Sequence, residues 1–243
     1  MKLDDHGYWV ERHKKVKDLS SVGQRKLGQK GNEVVYETVK VQYARVLKAL
    51  KVEKGINVLD AGAGIGFFSY FLKEKGFDVT AIDISKEGLR KIEKKGIKAH
   101  TSKIADFKKG NYKIVHCFDV LYHILDDREW QDSVTNLCNR SNSYVILHQR
   151  FLRREPLFLS PHLAFRSYSR ILEEMNKNGF REILSMPSHV LMRNPIYILA
   201  KILPGLFRSA EMRLLKKWPF DVIDIASHHI KVFEKVSASR RDE

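Results

Sequence analysis

No stretch of this sequence holds the roughly 18 uninterrupted apolar residues that a membrane-spanning helix needs. The amino-terminal run MKLDDHGYWVERHKK has no apolar core of the kind that marks a secretory signal, so the expected compartment is the cytoplasm. Cysteine is scarce. Cys117 and Cys138 sit in apolar or helical-looking segments without metal-ligand spacing, which argues against a disulfide or a thiolate metal site and for two buried, reduced thiols. Repeats and low-complexity tracts are missing too. Acidic residues are outnumbered: 29 Asp and Glu stand against 44 Lys and Arg, for a formal charge of +15 and a pI near 9.7. Such a field attracts nucleic acid, anionic lipid or a phosphorylated substrate. The lysines are nevertheless spread through ERHKKVK, KKGIK and KKGNYK, in the manner of solvated surface.

What is present is a globular composition. With 243 residues and 43% hydrophobic content, the chain can bury a sizeable core as one large α/β domain or one domain with a small appendage. INVLDA (56 to 61) runs into glycines, and GFFSYFLKEKG reads as a helix with a glycine stop. DVTAIDIS (78 to 85) is the next strand, followed by a helix that Ser85 caps and Gly96 closes. IKAHTS, YKIVHCFDVLYHI and SNSYVILHQRF supply strands three to five. The helix over LDDREWQDSVTNLCNR has Asp126 and Glu129 at capping-box spacing. SYSRILEEMNKNGF is a further helix, and REILSMPSH and HHIKVFEKV (228 to 236) are the last strands. This alternation predicts a mostly parallel sheet covered on both faces.

The densest signal is INVLDAGAGIGFFSYFL, residues 56 to 72. A strand, a glycine turn and a helix set backbone amides and a helix dipole beside a ligand, and glycine lets that ligand approach the main chain. The glycines Gly62, Gly64 and Gly66 give GxGxG; Phe67 stands where the dinucleotide fingerprint needs its last glycine, and no GK[ST] follows as in a P-loop. Asp60 precedes the glycines. A carboxylate there repels a pyrophosphate and favours the ammonium and sulfonium of S-adenosylmethionine. Asp83 ends the second strand about twenty residues beyond the loop, placed to accept hydrogen bonds from both ribose hydroxyls.

Across residues 54 to 150, through VLDAGAGIGFFSYFL, VTAIDIS, SKIADF and YKIVHCFDVLYHILDD, the sequence resembles the class I S-adenosylmethionine-dependent methyltransferases. The resemblance implies a Rossmann-like α/β fold: a seven-stranded, mostly parallel sheet with helices on both faces and an antiparallel last strand. It also implies site residues. Asp60, Gly62 and Gly64, with Gly66 completing the loop, line the methionine end; Asp83 takes the ribose with Ile84 beside it. Asp106 meets the adenine with Ile104 and Ala105, while Asp119 and Val120 face the reaction centre.

The acceptor is read less directly. The strand-four end FDVLYHI replaces the NPPY-like motif of adenine amino methyltransferases, neither cysteine adjoins a proline as in cytosine-carbon enzymes, and no paired glutamates mark a protein-arginine enzyme. FDVLYHI looks instead like the strand-four end of enzymes acting on small molecules, sugars, quinones and lipids. His123 and His148 lie near the ends of strands four and five and are the candidate bases and acceptor contacts. By the same resemblance, residues 1 to 50 form an amino-terminal helical lid in which Tyr8 and Trp9 meet the acceptor. Residues 51 to 243 form the catalytic domain.

An insertion at 188 to 220 combines PIYILAKILPGLF with RLLKKW. Pro195 and Pro204 break it into pieces too short to span a bilayer, but a basic amphipathic segment of this kind can lie on an anionic membrane. The expected reaction is therefore O-methylation of a small hydroxylated, sugar or lipid-linked metabolite, with peripheral contact at the inner membrane face left open. RNA methylation on the basic surface is the alternative, without a recognisable RNA-binding domain.

Overall fold

Seven strands form one sheet in the order β3-β2-β1-β4-β5-β7-β6 in the computed structural model, which describes residues 5–16, 18–154, 162–191, 198–217 and 228–236. The strands are β1 (Asn57–Ala61), β2 (Asp78–Asp83), β3 (Lys98–Thr101), β4 (Tyr112–Phe118), β5 (Ser141–Gln149), β6 (Phe180–His189) and β7 (His228–Lys235). Strands β1 to β5 pair in parallel, and β7 lies antiparallel between β5 and β6. This is the expected Rossmann-like sheet with its antiparallel last strand. The strand order reverses between β1 and β4, where open α/β sheets hold their ligands beyond the carboxyl ends.

Burial on both faces explains why the strands read as apolar runs: four consecutive residues of β1, Asp60 included, are buried. Phe68, Phe71 and Leu72 of α3 (Phe67–Glu74) and Leu89 and Ile92 of α4 (Lys86–Lys94) pack over one face. Trp130, Val134 and Leu137 of α5 (Asp127–Arg140) join Ile171 and Met175 of α6 (Tyr168–Lys177) over the other. The anticipated caps form. Asp126 Oδ1 accepts the Glu129 amide at 2.8 Å, and Ser85 Oγ accepts the Gly88 amide at 3.4 Å. Cys117 and Cys138 are free and buried, and burial pushes both thiol pKa values up, that of Cys138 to about 12.

The amino-terminal region divides differently from the expected boundary at residue 50. Helix α2 (Gly28–Ala49) puts Val39, Tyr43 and Val46 into the main core, so it is a wall of the domain. It starts ahead of its amphipathic stretch because Asn32 grips the chain in front: its side chain exchanges two 2.9 Å bonds with the Gln24 backbone and donates to Gly28 O. Helix α1 (Asp5–Lys15) and the turns up to Leu27 are the part that lies over the sheet ends.

The insertion also begins later than residue 188, since β6 runs to His189. Pro187 is tolerated there because β6 is an edge strand, and its carbonyl accepts Gln42 Nε2 of α2 at 2.8 Å. Beyond it lie α7 (Leu199–Ile202) and α8 (Pro204–Lys217). Arg193, Pro195 and residues 218 to 220 fall outside the described residues.

Candidate active site

The loop after β1 is tied to the end of β2. Gly62 and Ala63 donate their amides to Ile82 O at 2.8 and 2.9 Å, and Gly64 donates to Asp83 Oδ2 at 2.8 Å. Gly62 has φ +85°, and a Cβ there would fall 2.3 Å from Val120 Cγ2. At Gly64 it would meet Val22 Cγ1 at 2.7 Å, so the amino-terminal segment closes directly onto this loop. Gly66 serves another purpose. It stands outside the cavity wall, and a Cβ there would meet Ile92 Cγ1 at 2.6 Å, so its smallness lets the loop pack on α4.

Above this loop opens a cavity of about 1130 Å³, larger than the roughly 300–1,000 Å³ of an ordinary ligand pocket and adequate for two ligands. Of the residues expected in the site, Asp60, Gly62, Gly64, Asp83, Ile84, Ile104, Asp119, Val120, Tyr8, Trp9 and His123 line it. Ala105, Asp106 and His148 do not. Asn136 Nδ2 donates to the carbonyls of Ile104 and Phe107, and the turn they form buries those two side chains and leaves Asp106 exposed to solvent. His148 lies in an interior strand with Nδ1 2.8 Å from Asp119 Oδ2 and Nε2 2.8 Å from Ser188 Oγ. Both nitrogens are committed, so it supports Asp119 and cannot reach an acceptor.

The cavity is acidic at its floor. Asp60 is buried, accepts Ser69 Oγ at 2.5 Å and has His116 Nε2 3.1 Å from its other oxygen. Asp119 takes φ +57°, a strained position that aspartate tolerates better than most residues. Its amide donates to His148 O at 2.7 Å, and its carboxylate also accepts Tyr122 OH at 3.3 Å. Burial acts to raise its pKa, but the charge and hydrogen bond of His148, helped by His228 and His189, outweigh this and hold it at about 2. Asp119 therefore carries a fixed negative charge at neutral pH.

A family profile described as "Methyltransferase domain" matches residues 36–237. The chain belongs to the methyltransferase-domain family. This methyltransferase also resembles solved structures whose low identity speaks to the fold. One is magnesium protoporphyrin IX methyltransferase from Synechocystis with bound SAM, 19% identical, covering 96% of this chain and 98% of that one with a TM-score of 0.66. A second is N-methyltransferase NodS from Bradyrhizobium japonicum with S-adenosyl-l-homocysteine, 12% identical, covering 95% and 100% with a TM-score of 0.61. A third is an S-adenosylmethionine-dependent methyltransferase from Clostridium acetobutylicum, 10% identical, covering 83% and 92% with a TM-score of 0.60. No functionally curated protein matches the sequence.

The methyltransferase cavity fits S-adenosylmethionine on its own chemistry. Gly62 and Gly64 line the cavity, and Asp60 and Asp119 offer negative charge to a cationic methionine end. The Asp83 oxygens accept the backbone amides of Gly64 and Ser85 at 2.8 Å each, which fixes this carboxylate on the cavity wall. Ser102, Lys103 and Ile104 continue the wall after β3.

One side of the cavity in this methyltransferase is built from aromatic rings. Trp9 stands edge-on to His123 with centroids 4.6 Å apart, and Tyr8 stacks on His162 at 4.2 Å. His123 Nδ1 lies 3.0 Å from the His162 carbonyl, which can only accept, so Nδ1 carries the proton and Nε2 has the lone pair. Burial lowers the His123 pKa to about 4, against the opposing hydrogen bond to His162 and charge of Asp119. The ring is neutral at physiological pH.

Tyr36, Val22, His162, Ser102 and Lys103 also line the cavity and escape a sequence reading. Tyr36 sits on α2 within an ordinary amphipathic pattern, and only the packing of α2 against the sheet brings it to Asp119. Burial first, then that charge, raises its pKa.

Burial pushes the pKa of several histidines down: His123 and His228 to about 4, and His229 to about 3. Below the unfolded value of about 6.5 the denatured chain binds protons that the folded chain refuses, so stability falls as the pH drops from there toward 4. The expected loss is on the order of 1 kcal/mol per pH unit per histidine. Urea unfolding midpoints should be level above neutrality and fall steeply in this window; a midpoint unchanged at acidic pH would contradict the neutral burial.

Proposed function

We propose that this methyltransferase transfers the methyl group of S-adenosylmethionine to a hydroxyl of a small acceptor, a free, sugar or lipid-linked metabolite. The observation that carries this reading is the unprotonated Nε2 of His123 on the wall of the aromatic chamber beside Trp9. S-adenosylmethionine, when bound, supplies a methyl carbon on a sulfonium leaving group. Asp60, Gly62, Gly64 and Asp83 hold and orient it, and Asp119 fixes negative charge beside the cationic end. Tyr8 and Trp9 cover the acceptor and exclude water. His123 receives the hydroxyl proton as the oxygen becomes alkylated. A base of low pKa suffices because the hydroxyl turns strongly acidic at that point. One related structure is a porphyrin methyltransferase and another an N-methyltransferase, so no acceptor is carried over from them.

Calorimetric titration with S-adenosylmethionine, followed by radiolabelled-methyl transfer to lipid, glycan, small-molecule and RNA fractions, tests the reading. Absence of binding would sink it, and label in RNA alone would replace the acceptor class. His123→Ala is expected to lower kcat about a hundredfold or more with donor affinity unchanged. Full activity in that variant would remove the base.

A further inference from the structure

Among the described residues seven large apolar side chains are exposed, and five of them, Ile198, Leu199, Ile202, Leu203 and Leu206, fall between residues 198 and 206. They occupy the outer side of α7 and the start of α8. The inner side is anchored: Ala200 and Phe207 pack on Leu27 and Val34, and α8 buries Glu211 and Leu215 as well. The Glu211 carboxylate accepts the backbone amides of Val190 and Leu191, fastening α8 to the end of β6. The knuckle is thus a braced feature of the surface.

Its charge identifies what it fits. Lys201, Arg208, Arg213 and Lys216 are exposed on the same two helices, whereas the single acidic residue from 198 to 217, Glu211, is fully buried. Arg208 has a loose 3.9 Å contact with Glu37 of α2 and remains accessible. A second copy of the chain would set these cations against their own kind, and nucleic acid would satisfy the cations and leave five apolar side chains in water. A bilayer with anionic headgroups meets both demands.

We propose that the α7–α8 hairpin is a docking surface for an anionic lipid bilayer, its apolar knuckle entering the acyl boundary and its cations meeting the headgroups. Docking does not depend on the reaction assigned above. It does set the bilayer against α2, the helix that carries Tyr36 to the cavity and follows the covering segment of residues 5 to 27.

Flotation of the full chain with phosphatidylcholine vesicles, with and without phosphatidylglycerol, tests this. Binding is expected to the anionic vesicles only, weakening as salt is raised. Lys201→Gln combined with Arg213→Gln should lower the partition coefficient about fivefold per charge removed. Ile202→Asp combined with Leu206→Asp should lower it at least tenfold. Thermal melts and S-adenosylmethionine titration should match the parent; if the acidic pair unfolds, the glutamine pair decides. No preference for anionic vesicles, or binding indifferent to both pairs, overturns the proposal. So does a dimer in sedimentation that Leu206→Asp dissolves, which would make the knuckle an interface between copies. A protein that floats and fails to bind donor would leave docking intact and refute the proposed reaction alone.

Discussion

Gly62→Ala is expected to cut S-adenosylmethionine affinity at least a hundredfold. The backbone at Gly62 has φ +85°, which costs an L-residue roughly 1–2 kcal/mol. The new methyl would lie 2.3 Å from Val120 Cγ2, and the branched valine cannot swing aside as a long flexible side chain would. Relief must come from the backbone of one loop or the other, and both line the cavity, so the donor site is deformed from two directions. A smaller fall in stability, about 2 kcal/mol, should accompany it. Calorimetry on the variant gives the answer. Affinity within a few-fold of the parent would mean that the loops move apart freely and that Gly62 is not a close-approach glycine.

Asp119→Ala should lower kcat/KM by two orders of magnitude or more and cost about 3 kcal/mol of stability. Three things are lost together. The cavity loses a negative charge held at about 2 by its surroundings, the buried His148 Nδ1 loses its acceptor, and so does Tyr122 OH. Asp119→Asn separates the effects, because asparagine accepts the left-handed backbone and still offers an oxygen to Tyr122 or His148. Its folding should lie near that of the parent while its turnover stays low. An asparagine variant as active as the parent would show that geometry at this position matters and charge does not.

The parts of the molecule legible from sequence are those in which a local pattern has a local cause. Strand β1 and its glycines are readable because both faces of the strand are covered and because the turn admits no Cβ. The antiparallel seventh strand is legible only through family resemblance, since periodicity carries no direction. The adenine side is less legible: the loop after β3 looks acidic in sequence, and only Asn136, 30 residues further on at α5, sets the turn in which Asp106 faces solvent. His148 is hard to read for a related reason. Its place at a strand end suggests access, and only the approach of Ser188 from β6 reveals that its second nitrogen is taken. Tyr36 and Val22 were invisible because nothing local distinguishes a residue that packs on the core from one that packs on a ligand.

The covering segment makes two closures with one piece of chain. Val22 rests against Gly64 on the glycine-loop side of the cavity, while Tyr8 and Trp9 wall its aromatic side. Arg12 ties the two together by donating to the carbonyls of Ser20 and Gly23 and to Tyr8 OH. The two sides of the cavity therefore share a single cover. On the proposed assignment of the two sides, a variant that loosens Arg12 is expected to speed the exchange of donor and acceptor together.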